Sequence, residues 1–170
     1  MTILQSIQTF FNPYAALTKS KKAVVQALTE KLKPGEALLA FTEGFLITSS
    51  FESNVYRVGL TNQRLILVQK GSKERLFSFD LAQIKHISNE SYLYHKDVFL
   101  RISLEGTSLV MNIPPGRRGL ARELVSRYQK IESRPAAFSD DQVESLVRNL
   151  WDLRLVSQSK AVMQTWSNSK

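Results

Sequence analysis

The sequence predicts a mixed α+β chain that is mainly β: an antiparallel barrel of about seven strands, capped by a C-terminal amphipathic helix and flanked by extra helices. Three observations predict it. Apolar and polar residues alternate with period two through the middle of the chain. Turn signals separate these runs at the short, regular spacing of a sandwich or barrel. Helical spacing of apolar residues appears only before and after this block.

Taken in order, Ser20 is placed to cap a helix whose apolar face is Val24, Ala27, Leu28 and Leu32, and Pro34-Gly35 would end it. A first strand is expected over residues 37–48. Residues 53–60 put Tyr56, Val58 and Leu60 on one face, the pattern of half-buried β structure. Residues 65–68 are apolar on both faces, which implies a strand covered on its outer side too. Phe77, Phe79 and Leu81 alternate after the turn Gly71-Ser72-Lys73. Between Leu81 and Ile87 the apolar spacing becomes three, so a bulge or corner is expected within the run that continues over residues 83–94. Val98, Leu100, Ile102 and Leu104 alternate with Phe99, Arg101, Ser103 and Glu105. Leu109, Met111 and Ile113 repeat the pattern across a hairpin at Gly106-Thr107.

Pro114-Pro115-Gly116 breaks the sheet. Leu120, Leu124, Val125, Tyr128 and Ile131 then recur at 3.6-residue spacing, a helix with one buried face. Residues 132–138 read as a linker. Ser139 with Gln142 forms a capping box for a further helix whose apolar face is Val143, Leu146, Val147, Leu150 and Trp151. From Ser157 the tail is polar except Val162, Met163 and Trp166, a weak last helix or a frayed end. The organisation expected is an N-terminal helical extension (1–33), a central barrel with its capping helix (34–132), and a linker with a helical tail (133–170).

The chain has 170 residues, 43% of them hydrophobic, enough to bury one core. It contains no cysteine, which excludes disulfides, thiolate zinc sites and thiol nucleophiles. Twenty-three Lys and Arg against 15 Asp and Glu leave a net charge of +8, which makes acidic partners such as nucleic acid or anionic lipid the first to consider. The excess is unevenly placed. Residues 1–33 carry net +4, residues 34–110 net 0 and residues 111–170 net +4. A sheet that bound nucleic acid would carry its own excess of Lys and Arg, so nucleic acid is an unlikely partner. No run approaches the roughly 18–20 apolar residues that cross a bilayer. The N-terminus lacks the basic and continuous apolar regions of a secretory signal. A cytoplasmic protein is expected, with peripheral membrane contact left open.

The segment Gly59-Leu-Thr-Asn-Gln-Arg-Leu-Ile-Leu-Val-Gln-Lys-Gly71 resembles the second-to-third-strand hairpin of bacterial pleckstrin-homology-like (GRAM-like) domains. Lys33-Pro-Gly-Glu-Ala-Leu-Leu before it and Phe79-Asp-Leu-Ala-Gln-Ile84 after it are also similar to that family, and the resemblance covers roughly residues 33–132. It implies a pleckstrin-homology-like barrel acting as a binding or adaptor module. Locally, Thr61 and Asn62 suit a tight reversal because their side chains bond to nearby backbone. Arg64 is expected to point outward from this turn as a solvated or locally paired cation, with a ligand contact as the other reading. Residues 140–153 look a little like short C-terminal helical segments that promote self-association; a helix folded back onto the barrel is the other reading.

Members of the family that bind phosphoinositides usually do so with Lys and Arg at the first hairpin. Residues 48–53 hold no base and carry Glu52, which argues against strong head-group recognition. Two basic groups remain as candidates for an anionic surface: Lys70, Lys73 and Arg75 around the next hairpin, and Arg117, Arg118 and Arg122 at the start of the capping helix. Each such charge near an anionic leaflet is worth about 1 kcal/mol. Ile3, Leu4, Ile7, Phe10 and Phe11 fall close to helical spacing ahead of Lys19, Lys21 and Lys22, an apolar stripe that suits a membrane, a partner or the barrel itself. His86 and His95 form no metal-ligand or nucleophile-base pattern with the acids near them, and the chain has no phosphate-binding or dinucleotide motif. The expectation is a non-enzymatic binding module without a cofactor or small-molecule substrate. It would engage a protein partner, itself through its terminal helices, or an anionic membrane; a basic nucleic-acid-binding accessory protein is the alternative.

Overall fold

The computed structural model describes residues 20–48, 54–71, 73–91, 98–131 and 139–169. Helix α1 (Lys21–Thr29) precedes seven strands: β1 (Leu38–Leu46), β2 (Val55–Thr61), β3 (Arg64–Gln69), β4 (Leu76–Asp80), β5 (Ile84–Ser91), β6 (Val98–Leu104) and β7 (Thr107–Ile113). Helices α2 (Arg118–Gln129), α3 (Asp140–Asp152) and α4 (Val156–Asn168) follow. The strands are antiparallel in the order β4-β3-β2-β1-β7-β6-β5, and α2 caps them, which is the pleckstrin-homology-like arrangement. The expected barrel is open along one seam. β4 and β5 are the two edges of the sheet, and no ladder joins them among the described residues. The chain leaves β4 through a single 3-10 turn, Leu81–Gln83, and a register shift follows between Ile84 and His86, so the expected corner is present. The free edge of β4 is covered by α3: Asn149 Nδ2 donates to the Ser78 carbonyl (2.7 Å), and Gln83 Nε2 donates to the Gln142 carbonyl (2.6 Å).

The sheet bends within β1. That strand pairs with β2 along most of its length, but with β7 only at Phe45 and Leu46. Gly44 sits at the bend, where a Cβ would meet the Asn112 carbonyl oxygen and Ile113 Cδ1 at 2.7 Å each, so only glycine allows β1 and β7 to approach this closely.

Alternation decides what is buried. Tyr56, Val58 and Leu60 of β2, Phe77 and Phe79 of β4, and Leu100, Ile102 and Leu104 of β6 face a single core with Leu109, Met111 and Ile113 of β7. Ala121, Leu124 and Tyr128 close that core from α2, and the Tyr128 hydroxyl donates to the Ile84 carbonyl (2.9 Å). The same core takes in Val143, Leu146 and Leu150 of α3, Leu153 and Leu155 of the next turn, and Val162 of α4. The C-terminal helices therefore fold back onto the sheet. The tail beyond Ser157 is a regular helix, and Ser139 and Gln142 form the expected reciprocal cap. A second cluster, Val24 and Leu28 of α1 with Ile66 and Val68 of β3, covers the outer face of β3 as its two-sided apolar pattern required.

Two of the resembling segments meet in a buried clamp. Pro34 and Gly35 form a turn in which Gly35 takes φ +76°, left-handed geometry that suits glycine. This turn brings the Glu36 carboxylate back to accept from Lys33 N (2.8 Å). Arg64 donates to both Glu36 oxygens, from Nε at 2.9 Å and from Nη2 at 3.1 Å, and Nη2 also reaches the Lys31 carbonyl at 3.1 Å. Thr61 Oγ1 accepts from the Gln63 and Arg64 amides (3.1 and 2.9 Å) and lies 2.7 Å from Glu36 Oε1. The expected outward orientation of Arg64 is thus corrected: it is buried, because a carboxylate 28 residues earlier in the chain receives it. Glu36 accordingly has its pKa lowered from 4.5 to about 2. The Arg64 hydrogen bond is the main cause, and burial acts in the opposite sense.

Candidate functional site

The basic groups expected from the sequence fall into separate places. Lys70, Lys73 and Arg75 line one cleft of about 340 Å³, together with Asn54, Tyr56, Gln69, Asp152 and Arg154. Local structure explains the arrangement. β3 ends as Lys70 N donates to the Val55 carbonyl (2.9 Å), and the hairpin is drawn closed as Gln69 N donates to the Arg75 carbonyl (2.8 Å). The α3–α4 turn closes the other side. There Arg154 holds φ +62°, the only non-glycine residue with positive φ among the described residues. Such backbone costs on the order of 1 kcal/mol per residue and persists where its surroundings fix it. Sequence reasoning missed Arg154. It is 79 residues beyond Arg75, and no local pattern joins the two.

The cleft is cationic because its acids are engaged or outnumbered. Glu74, the acid of the β3–β4 hairpin, is tied to Lys31 (3.1 Å) and Arg57 (3.1 Å), and Lys31 holds its carboxyl below the usual range. Among the described residues of the lining Asp152 is the single carboxylate, 4.0 Å from Arg75. The Arg75 guanidinium also stands 5.2 Å over the Phe77 ring, which fixes it by a cation–π contact. Beneath it, Tyr56 packs edge-on to Phe77, at 6.2 Å between centroids. Burial raises the Tyr56 phenol, while Arg75 and Arg154 act in the opposite sense, so both cations reach this phenol electrostatically. Burial likewise lowers the Lys70 ammonium; Glu43 opposes this, and Arg57 and Arg117 reinforce it.

The second basic group divides. Arg117 is 8% exposed and belongs to the interior, its carbonyl facing the Thr42 hydroxyl. Arg118 and Arg122 line a different cleft, also about 340 Å³, with Asn89, Glu90, Ser91 and Val98. The apolar stripe Ile3, Leu4, Ile7, Phe10 and Phe11 lies outside the described residues, as does most of the first hairpin, residues 49–53. His95 lies outside them too, and His86 faces solvent on β5. Among the described residues, no three of His, Cys, Asp and Glu are grouped so as to hold a metal ion. No helix among them is long and apolar enough to cross a membrane.

Two described features had no place in the sequence reading. Glu43 is a fully buried acid on β1, opposite Arg57 in the register. An apolar groove of about 450 Å³ runs between α3 and α4, lined by Val147, Trp151, Ser159 and Met163 with Glu144, Arg148 and Lys160 at its rim. Trp151 and Met163 stay 58% and 54% exposed there.

The chain matches no family model and has no significant match among curated proteins. Among solved structures it is similar to the C-terminal domain of an unknown protein from Leishmania infantum. That likeness has 16% identity and a TM-score of 0.52, over 62% of this chain and 99% of that one. It is also similar to a DUF1696 family protein with a pleckstrin-homology domain from Shewanella loihica PV-4 (20% identity, TM-score 0.43, 65% and 98% covered). A third likeness is to a pleckstrin-homology domain from Shewanella amazonensis SB2B (21% identity, TM-score 0.43, 62% and 95% covered). At these identities the likeness concerns the fold.

Proposed function

We propose that this pleckstrin-homology-like domain is a non-enzymatic binding module that engages an anionic membrane surface through the cleft between the β3–β4 hairpin and the α3–α4 turn. One observation carries the reading: Lys70, Lys73, Arg75 and Arg154 converge on a single open cleft against one carboxylate, Asp152. Arg118 and Arg122, in their separate cleft, offer a second basic contact, and the stripe Ile3, Leu4, Ile7, Phe10 and Phe11 supplies apolar contact with the bilayer. The protein is then cytoplasmic and peripheral at the membrane. The proposal includes the narrower assignment to the bacterial, GRAM-like type. The clamp supports it by giving a physical role to Glu36, Thr61 and Arg64, three of the residues on which the resemblance rests. A second reading, a protein partner or self-association, draws on the apolar groove between α3 and α4.

Co-sedimentation with phosphatidylcholine vesicles, with and without phosphatidylserine, tests the membrane reading. Binding is expected only with phosphatidylserine, and it should weaken as salt rises. Replacing Lys73 and Arg154 together by Gln removes two cations worth about 1 kcal/mol each, so affinity should fall roughly 30-fold. Equal binding to neutral vesicles, or a double variant that binds like the parent, overturns the reading. A chain that ignores anionic vesicles yet self-associates in light scattering transfers the site to the apolar groove. One that ignores them yet retards DNA at low salt restores the nucleic-acid alternative.

A further inference from the structure

The described elements account for only part of the outer face of the sheet. α1 lies on that face: Val24 and Leu28 pack against Ile66 and Val68, and Phe41 of β1 closes the cluster. Alternation puts Phe41, Glu43 and Phe45 on one side of β1, so the face continues past α1. In register it crosses five strands, from Val55 through Phe45, Asn112 and Phe99 to Glu90. Neither apolar cluster of the described residues contains this row. Its burial is nonetheless high. Val55 is 4% exposed, Glu43 beside the row is 0% exposed, and Phe45, Asn112 and Phe99 are half-buried. Strand pairing alone leaves an outward side chain in water, so such burial needs a layer on top. The ions of the face are already engaged: Arg101 holds Glu90 at 2.6 and 3.1 Å, and Glu43 stands opposite Arg57. The surface left to cover is apolar and uncharged.

We infer that residues 3–11 of the same chain form that layer, docking the stripe Ile3, Leu4, Ile7, Phe10 and Phe11 on the outer face of β1, β7 and β6. Three facts favour this occupant over a second copy or another molecule. Val55 and Glu43 are shut from solvent in a single chain, so their cover comes from within it. The segment before Lys19 has no charged side chain, which suits a face whose ions are paired. The tether is also long enough. α1 seats at Phe41, four residues along β1 from Phe45 and so about 13 Å away, whereas residues 12–19 can span up to about 27 Å. Wound as a helix, residues 3–11 measure about 12 Å, close to the roughly 10 Å from Phe45 to Phe99 across two strand spacings. Attachment to the same chain gives an effective concentration in the millimolar range, which a free partner must outcompete. The bilayer contact given to these side chains above then requires that they first leave the sheet, a consequence that rests on the membrane reading; the docking itself does not.

A nitroxide label at Gln5→Cys, on the side of the segment away from the stripe, tests the docking in the full chain without vesicles. The chain has no cysteine of its own to compete for the label. The amide signals of Phe45, Phe99, Val110 and Asn112 should lose most of their intensity, while those of α3, at the β4 edge, keep theirs. The loss should be the same after dilution, because the contact lies within one chain. It should disappear when Phe10→Asp and Phe11→Asp are added. If that variant fails to fold, the label and the dilution on Gln5→Cys alone decide the matter. A loss that weakens on dilution assigns the face to a second copy. One spread evenly over the chain leaves the segment undocked, and one seen only after phosphatidylserine vesicles are added gives the stripe to the bilayer alone. Each of these three results overturns the inference. Vesicle binding through the basic cleft can hold in all of them, so failure here is distinguishable from failure of the membrane reading.

Discussion

Arg64 and Arg118 are two shielded guanidinium groups in one small domain, and they are opposites. Arg64 spends Nε and Nη2 on Glu36 and the Lys31 carbonyl, inside a turn where Thr61 ties the same carboxylate to the backbone. Arg118 has the same two nitrogens buried with nothing to receive them. A matched buried ion is a structural part, because removing either partner strands the other. An unmatched one is a cost to the free protein and holds no other element in place. The contrast separates charge that builds the domain from charge that does not, a distinction that the net charge of +8 conceals.

The largest effect that would break this comparison is at Arg64. Arg64→Met should destabilise the chain by about 3–5 kcal/mol in denaturant unfolding, because it leaves the Glu36 carboxylate buried without its cation. A loss below about 1 kcal/mol would show that Arg64 contributes no more than a surface ion pair.

Acid comes next. Glu36 titrates at about 2 in the folded chain against 4.5 in the unfolded one, so its contribution is fully present above pH 4.5. It is lost as pH falls from there toward 2, since the unfolded chain takes up the proton first. The shift corresponds to on the order of 3 kcal/mol. Stability measured by urea unfolding should therefore decline through that window in the parent, and the decline should be much shallower in Glu36→Gln. Parallel pH profiles for the two proteins would remove the clamp as the source of acid sensitivity.

Much of this architecture could be read in the sequence because it depends on neighbours. The alternation in β2, β6 and β7, the two-sided apolar β3, the corner after Asp80 and the Ser139 cap each lie within one short window. Three features depend on residues far apart in the chain, and no local period reports them. Arg64 turns inward because Glu36 waits across the β1–β2 ladder. Arg154 joins Lys73 and Arg75 because α3 covers the edge of β4 and returns at the cleft. Arg117 and Arg118 are adjacent in sequence, but one is sealed in the interior and the other lines a cleft, since the 3-10 turn Pro115–Arg117 gives way to α2 between them. The sequence pattern located the basic residues without distinguishing which were already spoken for.

The smallest effect sharpens the comparison at the hydroxyl of Thr61. Thr61→Val keeps the shape and removes the oxygen that accepts from the Gln63 and Arg64 amides and lies against Glu36. The cost should be about 1–2 kcal/mol, the price of leaving those buried amides unmet, and Thr61→Ser should recover most of it. The same hydroxyl helps hold the Glu36 pKa down. Thr61→Val should therefore raise the Glu36 value toward the ordinary carboxylate range and narrow the pH window of acid loss, as read from carboxyl chemical shifts. If Val and Ser behave alike, with the pKa unmoved, packing at this turn matters and its hydrogen bonds do not; the clamp then reduces to the Glu36–Arg64 pair alone.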